Sequence, residues 1–479
     1  MLTTFSVLSL IIAVPFLGMI FALTSKEDVR GGSHNIYNVS LFAVVANIVM
    51  IWRIFMLIDT GKEGLQLIEK FDWLTHPDID IIFGVDVFSL LLVFAVHIAF
   101  LIGFLGVRNQ PQPKAMMVFS LLFLSMITGF FVAADIFSFY IFFEAMLLPL
   151  FMLMGIYGHI KRSGLIYRFL IYNLIGAMVL FVAVIFLFNH QNGMVELDKV
   201  SRLPLEKGVE YFIWGAVFVS LLSRIPVWPF HYWISSINAN IRNPLVFIVS
   251  SIVPLTGLYG FIRLLPKTLP DSVGSLVLGL EIVGVVTMFF IALIGFINKD
   301  RQYKMFSYIT VYYIMYLLGV FTRADLIMLN IGFSFFSYLI IVSVLEVVSQ
   351  HIYRQEEDYD INAEGILCKA PRLSLVYTFI VFVAIGLPLS SLFLNNFLII
   401  SNLLMNNVKI GMGIVISLVL ASATLLQDLY LLKNKDAACA LEERPYTPDI
   451  SALEYRFLLF VCFVLLMSFI QPLWFVVGS

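Results

Sequence analysis

Charge is scarce in this sequence: 13% of its 479 residues are Asp, Glu, Lys or Arg, against 61% hydrophobic residues. A soluble globular chain is about a quarter charged and about half apolar, so composition alone excludes an ordinary water-soluble domain. Neither sign of charge is in excess, with a formal net charge of −2, which leaves a nucleic-acid partner without support. Cysteine is nearly absent. Cys368, Cys439 and Cys462 lie far apart with no CxxC pair, which argues against a disulfide framework, a zinc site or an iron–sulfur cluster. A Gly-rich nucleotide loop is missing as well. The first apolar stretch, in MLTTFSVLSLIIAVPFLGMIFAL, has no basic region before it and no small-residue cleavage site after it. It is expected to be a retained helix and not a signal peptide.

What the chain has is length in apolar runs, with a mean hydropathy of +0.98. About fourteen stretches reach the length needed to cross roughly 30 Å of hydrocarbon: 5–23, 36–58, 85–107, 115–134, 136–157, 165–188, 209–234, 245–265, 273–297, 305–321, 324–348, 372–402, 408–432 and 455–477. Each is expected to be helical, because lipid offers no partner to an unpaired backbone amide. The alternating code of a β-barrel is not present. The links after odd-numbered spans hold sixteen Lys and Arg residues and the opposite links nine, so the richer side is expected to be cytoplasmic or matrix, with both termini on the other.

Two spans carry breaks. The seventh contains SRIPVWPFHYW, with Pro226 and Pro229, and the twelfth contains AIGLPLSSLFLNNFL, with Gly386 and Pro388. Proline removes a donor and clashes with the preceding turn. In a membrane such breaks persist where protein or water satisfies the freed groups. Their five-span separation fits two five-helix repeats of inverted topology. Ordinary proline kinks are the alternative.

A charge in mid-span costs about 2.5–3.5 kcal/mol on insertion scales. Glu144 lies in the run FSFYIFFEAMLLPLFMLMGIYG with no other charge, and Arg224 lies just before the break of the seventh span. An opposite charge favours the carboxylate and burial the neutral acid, so a change in their separation would decide whether Glu144 holds a proton. A neutral carboxyl that only donates a hydrogen bond is the alternative reading. Glu281 and Glu346 are expected to reach the membrane interface, Glu346 beside Gln350 and His351.

At these residues the sequence resembles a known family. The run GFFVAADIFSFYIFFEAMLLPLFMLMGIYG, with FGVDVFSLLLV, RIPVWPFHYW, NKDRQYKMFSYITVYYIMYLLGV and GLPLSSLFLNNFLII in the same order, is similar to the antiporter-like membrane subunits of proton-pumping NADH:quinone oxidoreductase, respiratory complex I. It is most similar to the M type, which corresponds to mitochondrial subunit 4. The resemblance implies an all-α polytopic membrane protein with two inverted five-helix repeats and broken helices 7 and 12. Helices 1–3 would occupy 1–107, the repeats 115–265 and 273–432, and a last helix 455–477. It implies coupling of electron transfer to proton translocation, with Glu144, Arg224 and His231 on the proton path. NADH, flavin, iron–sulfur and quinone chemistry would sit on other subunits, leaving no cofactor in this chain. The implied partners are the other membrane subunits of complex I, the lipid bilayer and protons. A bacterial inner membrane is expected, with the mitochondrial inner membrane as the alternative.

The sequence departs from the family pattern at the centre of that path. Arg224 stands where the family has a lysine, and an arginine keeps its proton where a buried lysine can lose it. Leu255, Tyr313, Ile331 and Asn396 fall on the positions of a lysine, two histidines and an acid. Two other functions therefore stay open: a subunit of a multi-subunit Na⁺/H⁺ antiporter, and a structural paralogue that holds a membrane arm together without moving protons.

Overall fold

The structure, a computed structural model, describes residues 6–25, 34–62, 64–75, 78–108, 114–157, 163–191, 195–200, 206–231, 241–265, 271–322, 325–359, 365–388, 390–434 and 449–467. In chain order its elements are α1 (Val7–Thr24), α2 (His34–Phe55), β1 (Gln66–Thr75), β2 (Asp78–Val85), α3 (Val87–Gly106), α4 (Lys114–Val132), α5 (Ile136–Ala145), α6 (Leu147–Tyr157), α7 (Ser163–Gln191), α8 (Leu197–Val200), α9 (Lys207–Leu222), α10 (Pro244–Leu264), α11 (Asp271–Ile297), α12 (Arg301–Thr322), α13 (Asp325–Tyr359), α14 (Ile366–Lys369), α15 (Pro371–Ile385), α16 (Ser391–Asn406), α17 (Val408–Leu432) and α18 (Ala452–Met467). Among the described residues eleven spans are long and apolar enough to cross a membrane, α5 with α6 counting as one. The expected spans 209–234 and 455–477 are helical over α9 and α18, and 232–240 and 468–479 lie outside the described residues.

The chain forms two compact units, one taking residues up to Glu281 without 242–244, the other taking 242–244 and Ile282 onward. In the first unit, Asn47 on α2 donates to the Ile11 carbonyl of α1 at 2.8 Å and sits 2.8 Å from the His97 ring on α3. A buried amide placed between helices in this way fixes their register, because sliding either helix would leave it unpaired.

The antiparallel hairpin β1–β2 was not anticipated. Its sequence signal is faint, LIEKFDWL in the first strand and DIDIIFGV in the second, and the apolar runs beside it dominate any reading by hydropathy. The hairpin ties helix ends together. Glu69 on β1 accepts from the Leu8 and Ser9 amides at 2.8 and 3.0 Å, capping the first turn of α1, where free amides and the helix dipole favour a carboxylate. Asp135 caps α5 through the Phe137 and Ser138 amides and also accepts from the Ile82 amide of β2 at 2.9 Å. Asp86 caps α3 with Ser89 in a reciprocal capping box and pairs with Arg263 of α10 at 2.7 Å.

In the second unit the twelfth span is broken, as the sequence predicts. Gly386 ends α15 with φ of 104°, a left-handed backbone that glycine adopts without strain. Ser390 then starts α16 by accepting from the Phe393 amide. Pro388 has no N–H for the carbonyl of Ala384, four residues back. The hydroxyls of Tyr308 and Tyr312, both on α12, donate to that carbonyl at 3.0 and 3.1 Å. The break thus carries its own protein-borne donors, which a membrane interior requires.

Candidate functional site

Glu144 lies at the end of α5, one residue before a break that the sequence reading did not foresee. Its cause is Pro149, which offers no N–H to the Ala145 carbonyl. The flanking bonds are stretched to 3.3 Å, from Met146 to Phe142 and from Leu150 to Met146. The expected span 136–157 is one span made of two helical segments that meet at Met146, whose backbone stays in the right-handed helical region. Glu144 is half-buried, and the Tyr140 hydroxyl one turn earlier donates to its Oε2. Tyr140 is held by stacking on Phe181 of α7, 4.9 Å between ring centroids.

Arg224 is the cation of this site. The α9 helix stops at Leu222, and Arg224 follows in the turn that leads to Pro226 and Pro229. It is 0% exposed. Its Nη2 donates to the Phe143 carbonyl at 2.7 Å, and its guanidinium lies 4.0 Å from the centroid of the Phe143 ring, an arrangement in which the ring quadrupole attracts the cation. Nε and Nη1 have no hydrogen-bond partner among the described residues. The guanidinium grips the backbone beside Glu144 and not its carboxylate: no ion pair joins the two, although the charge of Glu144 reaches Arg224. Gly257 on α10 allows this turn to lie close, since a Cβ there would meet the Leu221 carbonyl at 2.6 Å and the Arg224 Cβ at 3.2 Å.

His231 is half-buried with Nδ1 unpartnered, and no hydrogen bond joins it to Glu144 or Arg224. The structure places Arg224 against the backbone next to Glu144. Leu255, Tyr313 and Ile331 are 0% exposed and Asn396 8%. Tyr313 packs edge-on to Tyr338 with centroids 5.3 Å apart. Asn396 accepts from the Tyr316 hydroxyl at 3.3 Å. These four positions are occupied by packed side chains. Glu281 is half-buried on α11.

The sequence reading of Glu346 is corrected. It placed the end of the span at 348, but α13 runs on to Tyr359 and encloses Glu346 completely. Its Oε1 accepts from Gln350 Nε2 at 2.6 Å and from Gln302 Nε2 at 3.5 Å. The signal that was available is the polar run Glu346, Ser349, Gln350, spaced to share one helix face.

Just ahead of the span of α3, Asp86 pairs with Arg263 of α10. Burial works to raise the Asp86 carboxyl, but the Arg263 guanidinium and the bonds from Ser89 outweigh it and hold Asp86 below the usual carboxylate range.

Residues 133–421 match the family described as NADH:quinone oxidoreductase/Mrp antiporter, transmembrane. The chain is 23% identical over 436 residues to NADH-quinone oxidoreductase subunit M of Rickettsia bellii, covering 89% of this chain and 86% of that one. It is 24% identical over 376 residues to NADH-ubiquinone oxidoreductase chain 4 of Marchantia polymorpha, covering 76% and 74%. Its fold superposes on a chain of respiratory complex I from Thermus thermophilus with a TM-score of 0.84 at 18% identity, covering 97% of this chain and 96% of that one. A chain of the Mrp complex from Dietzia gives 0.80 at 13% identity, but only 50% of that chain is covered.

Proposed function

The chain belongs to the NADH:quinone oxidoreductase/Mrp antiporter transmembrane family, and from that premise we propose that it is a membrane-arm subunit of an NADH:quinone oxidoreductase whose Glu144 exchanges a proton as electrons pass through the rest of the complex. The observation that carries the proton role is the weakened turn at Met146: a carboxyl, half-buried in mid-span, sits beside it and near a buried guanidinium whose Nε and Nη1 have no hydrogen-bond partner among the described residues. Movement about Met146 that carries the Glu144 carboxylate toward Nε and Nη1 of Arg224 favours the ionised form. Movement back toward Tyr140 takes the carboxyl away from the cation and leaves it one hydroxyl donor. Arg224 acts as a fixed charge and not as a proton carrier. The oxidation of NADH, the flavin, the iron–sulfur clusters and the quinone site belong to partner subunits in this reading.

A multi-subunit Na⁺/H⁺ antiporter fits less well. The relatives in the M and chain 4 class match over 86% and 74% of their lengths, whereas half of the Mrp chain has no counterpart here. A non-pumping scaffold has one observation in its favour, the packed side chains at Leu255, Tyr313 and Ile331.

Affinity purification of the full-length tagged chain from its native membrane tests the assignment. NADH:quinone oxidoreductase activity co-purifying with the chain is the expected result. Co-purification of Na⁺/H⁺ exchange without NADH oxidation overturns it.

A further inference from the structure

The proton path described above lies in the first unit. The second unit holds a fully buried carboxyl that this path does not use. Glu346 is 0% exposed, and while Oε1 has two amide donors, Oε2 has no partner among the described residues. Two neighbours share this condition: Gln302 Oε1 and Ser349 Oγ are buried and unpartnered. Buried polar atoms are nearly always paired, so three orphaned oxygens on two facing helices point to a common partner.

Gln302 and Ser349 also line a cavity of about 190 Å³. Lys299, in the link ahead of α12, lines it too and is exposed, so the cavity lies at the aqueous rim of the unit on the side rich in basic residues. Its volume holds several waters at the roughly 30 Å³ each occupies in the liquid.

The chemistry of the orphans selects their partner. Glu346 Oε2 and Gln302 Oε1 are acceptors, so a phosphate or carboxylate from a lipid headgroup cannot satisfy them. An alkali cation could, but Arg242, Lys299 and Arg301 surround the cavity against the single acid Asp300. Water supplies donors without adding charge. Among the charged groups on the neighbouring elements, Arg242 stacks over Tyr353 at 4.4 Å, lies 3.7 Å from Asp300, and sends its charge to Glu346. Arg301 is 3.3 Å from Asp428 of α17, whose charge also reaches Lys304. One turn beyond Glu346, His351 lies 3.1 Å from Gln355.

We propose that Glu346 is a proton-loading carboxyl of the second unit, filled from the basic-rich aqueous face through water held in this cavity at Gln302 and Ser349. The cavity waters relay a proton from the bulk to Glu346 Oε2, each water accepting one proton and giving up another, so that the carboxylate becomes the carboxylic acid with no ion left in the cavity, and the reverse relay releases the proton. The idea rests on the reading of the chain as a proton-moving subunit. It adds a loading site separate from Glu144, in the second unit.

The test uses the whole complex reconstituted in vesicles, with proton uptake measured per NADH oxidised for the parent, Glu144→Gln, Glu346→Gln and Ser349→Val. The last variant fills the cavity wall without touching the carboxyl. The expected result is that Glu346→Gln and Ser349→Val each lower the ratio to the value given by Glu144→Gln. Infrared difference spectra of the parent during turnover should also show a deuterium-sensitive carboxylic C=O band that vanishes in Glu346→Gln. A parental ratio in Ser349→Val, or in an assembled Glu346→Gln, while Glu144→Gln lowers it, overturns the loading site and leaves the role of Glu144 standing. Parental ratios in all three variants overturn the reading on which the site rests. If Glu346→Gln does not assemble, Ser349→Val decides.

Discussion

At the level of single residues, the account turns on which side chains satisfy which orphaned groups. Arg224 holds the Phe143 carbonyl, and its Nε and Nη1 have no hydrogen-bond partner among the described residues. Arg224→Met removes the fixed charge and the donor together, and is expected to lower proton uptake per NADH, whereas Arg224→Lys, which keeps the charge, is expected to retain part of it. The Ala384 carbonyl makes a different point. Tyr308 and Tyr312 both donate to it, so Tyr308→Phe or Tyr312→Phe alone leaves one donor and should cost little. The double variant orphans a buried carbonyl and should cost about 1–3 kcal/mol, more than the singles summed, read as a drop in the melting temperature of the purified complex. Additive losses would refute the shared acceptor. Glu144 and Arg224 were legible in the sequence, because a lone charge in an apolar run is conspicuous. Their actual contact was not, since nothing in the chain says that the guanidinium takes a backbone carbonyl in place of the carboxylate. Glu346 was misplaced for a simpler reason: the helix outruns its apolar stretch by more than two turns.

At the level of elements, proline accounts for most of what departs from straight helices. The breaks near Pro226 and at Gly386–Pro388 were readable because each proline has polar or glycine neighbours. Pro149 sits among Leu, Met and Phe, and its hinge at Met146 was hidden by that hydrophobicity. Pro149→Ala gives an amide to the Ala145 carbonyl and should join α5 to α6. The expected outcome is a lower proton-to-NADH ratio with no loss of thermal stability, and an unchanged ratio would remove the hinge from the mechanism. The β-hairpin escaped notice because short alternating strands weigh little beside long apolar helices. Next to it the Asp86–Arg263 pair ties the cap of α3 to α10. Because the folded carboxyl of Asp86 is held below its ordinary value, its contribution is fully present above about pH 4, the unfolded range for an aspartate, and is lost as pH falls through the lower folded value. Arg263→Met should destabilise the complex near neutral pH by about 1–3 kcal/mol, and the difference from the parent should shrink in melting curves taken at more acidic pH. A difference that stays constant down to acid would show that the pair contributes through packing.

For the molecule as a whole, membership of the family came through in the sequence because the marked stretches follow in order along nearly the entire chain. What sequence left open was whether such a divergent member still moves protons. The two units give different answers. The first keeps a carboxyl, a hinge and a charge beside it. The second packs buried tyrosines whose hydroxyls are committed to carbonyls, to Asn396 and to the Asp428 carboxylate, and it buries Glu346 completely. A scaffold would need neither a buried guanidinium with two nitrogens unpartnered among the described residues nor a half-buried acid in mid-span, both of which cost stability. The most direct measurement is proton uptake per NADH oxidised by the reconstituted complex, parent against Glu144→Gln, with assembly checked in both. The account expects the variant to assemble and give a lower ratio. An assembled Glu144→Gln complex with the parental ratio would contradict it and leave the chain a structural member of the membrane arm.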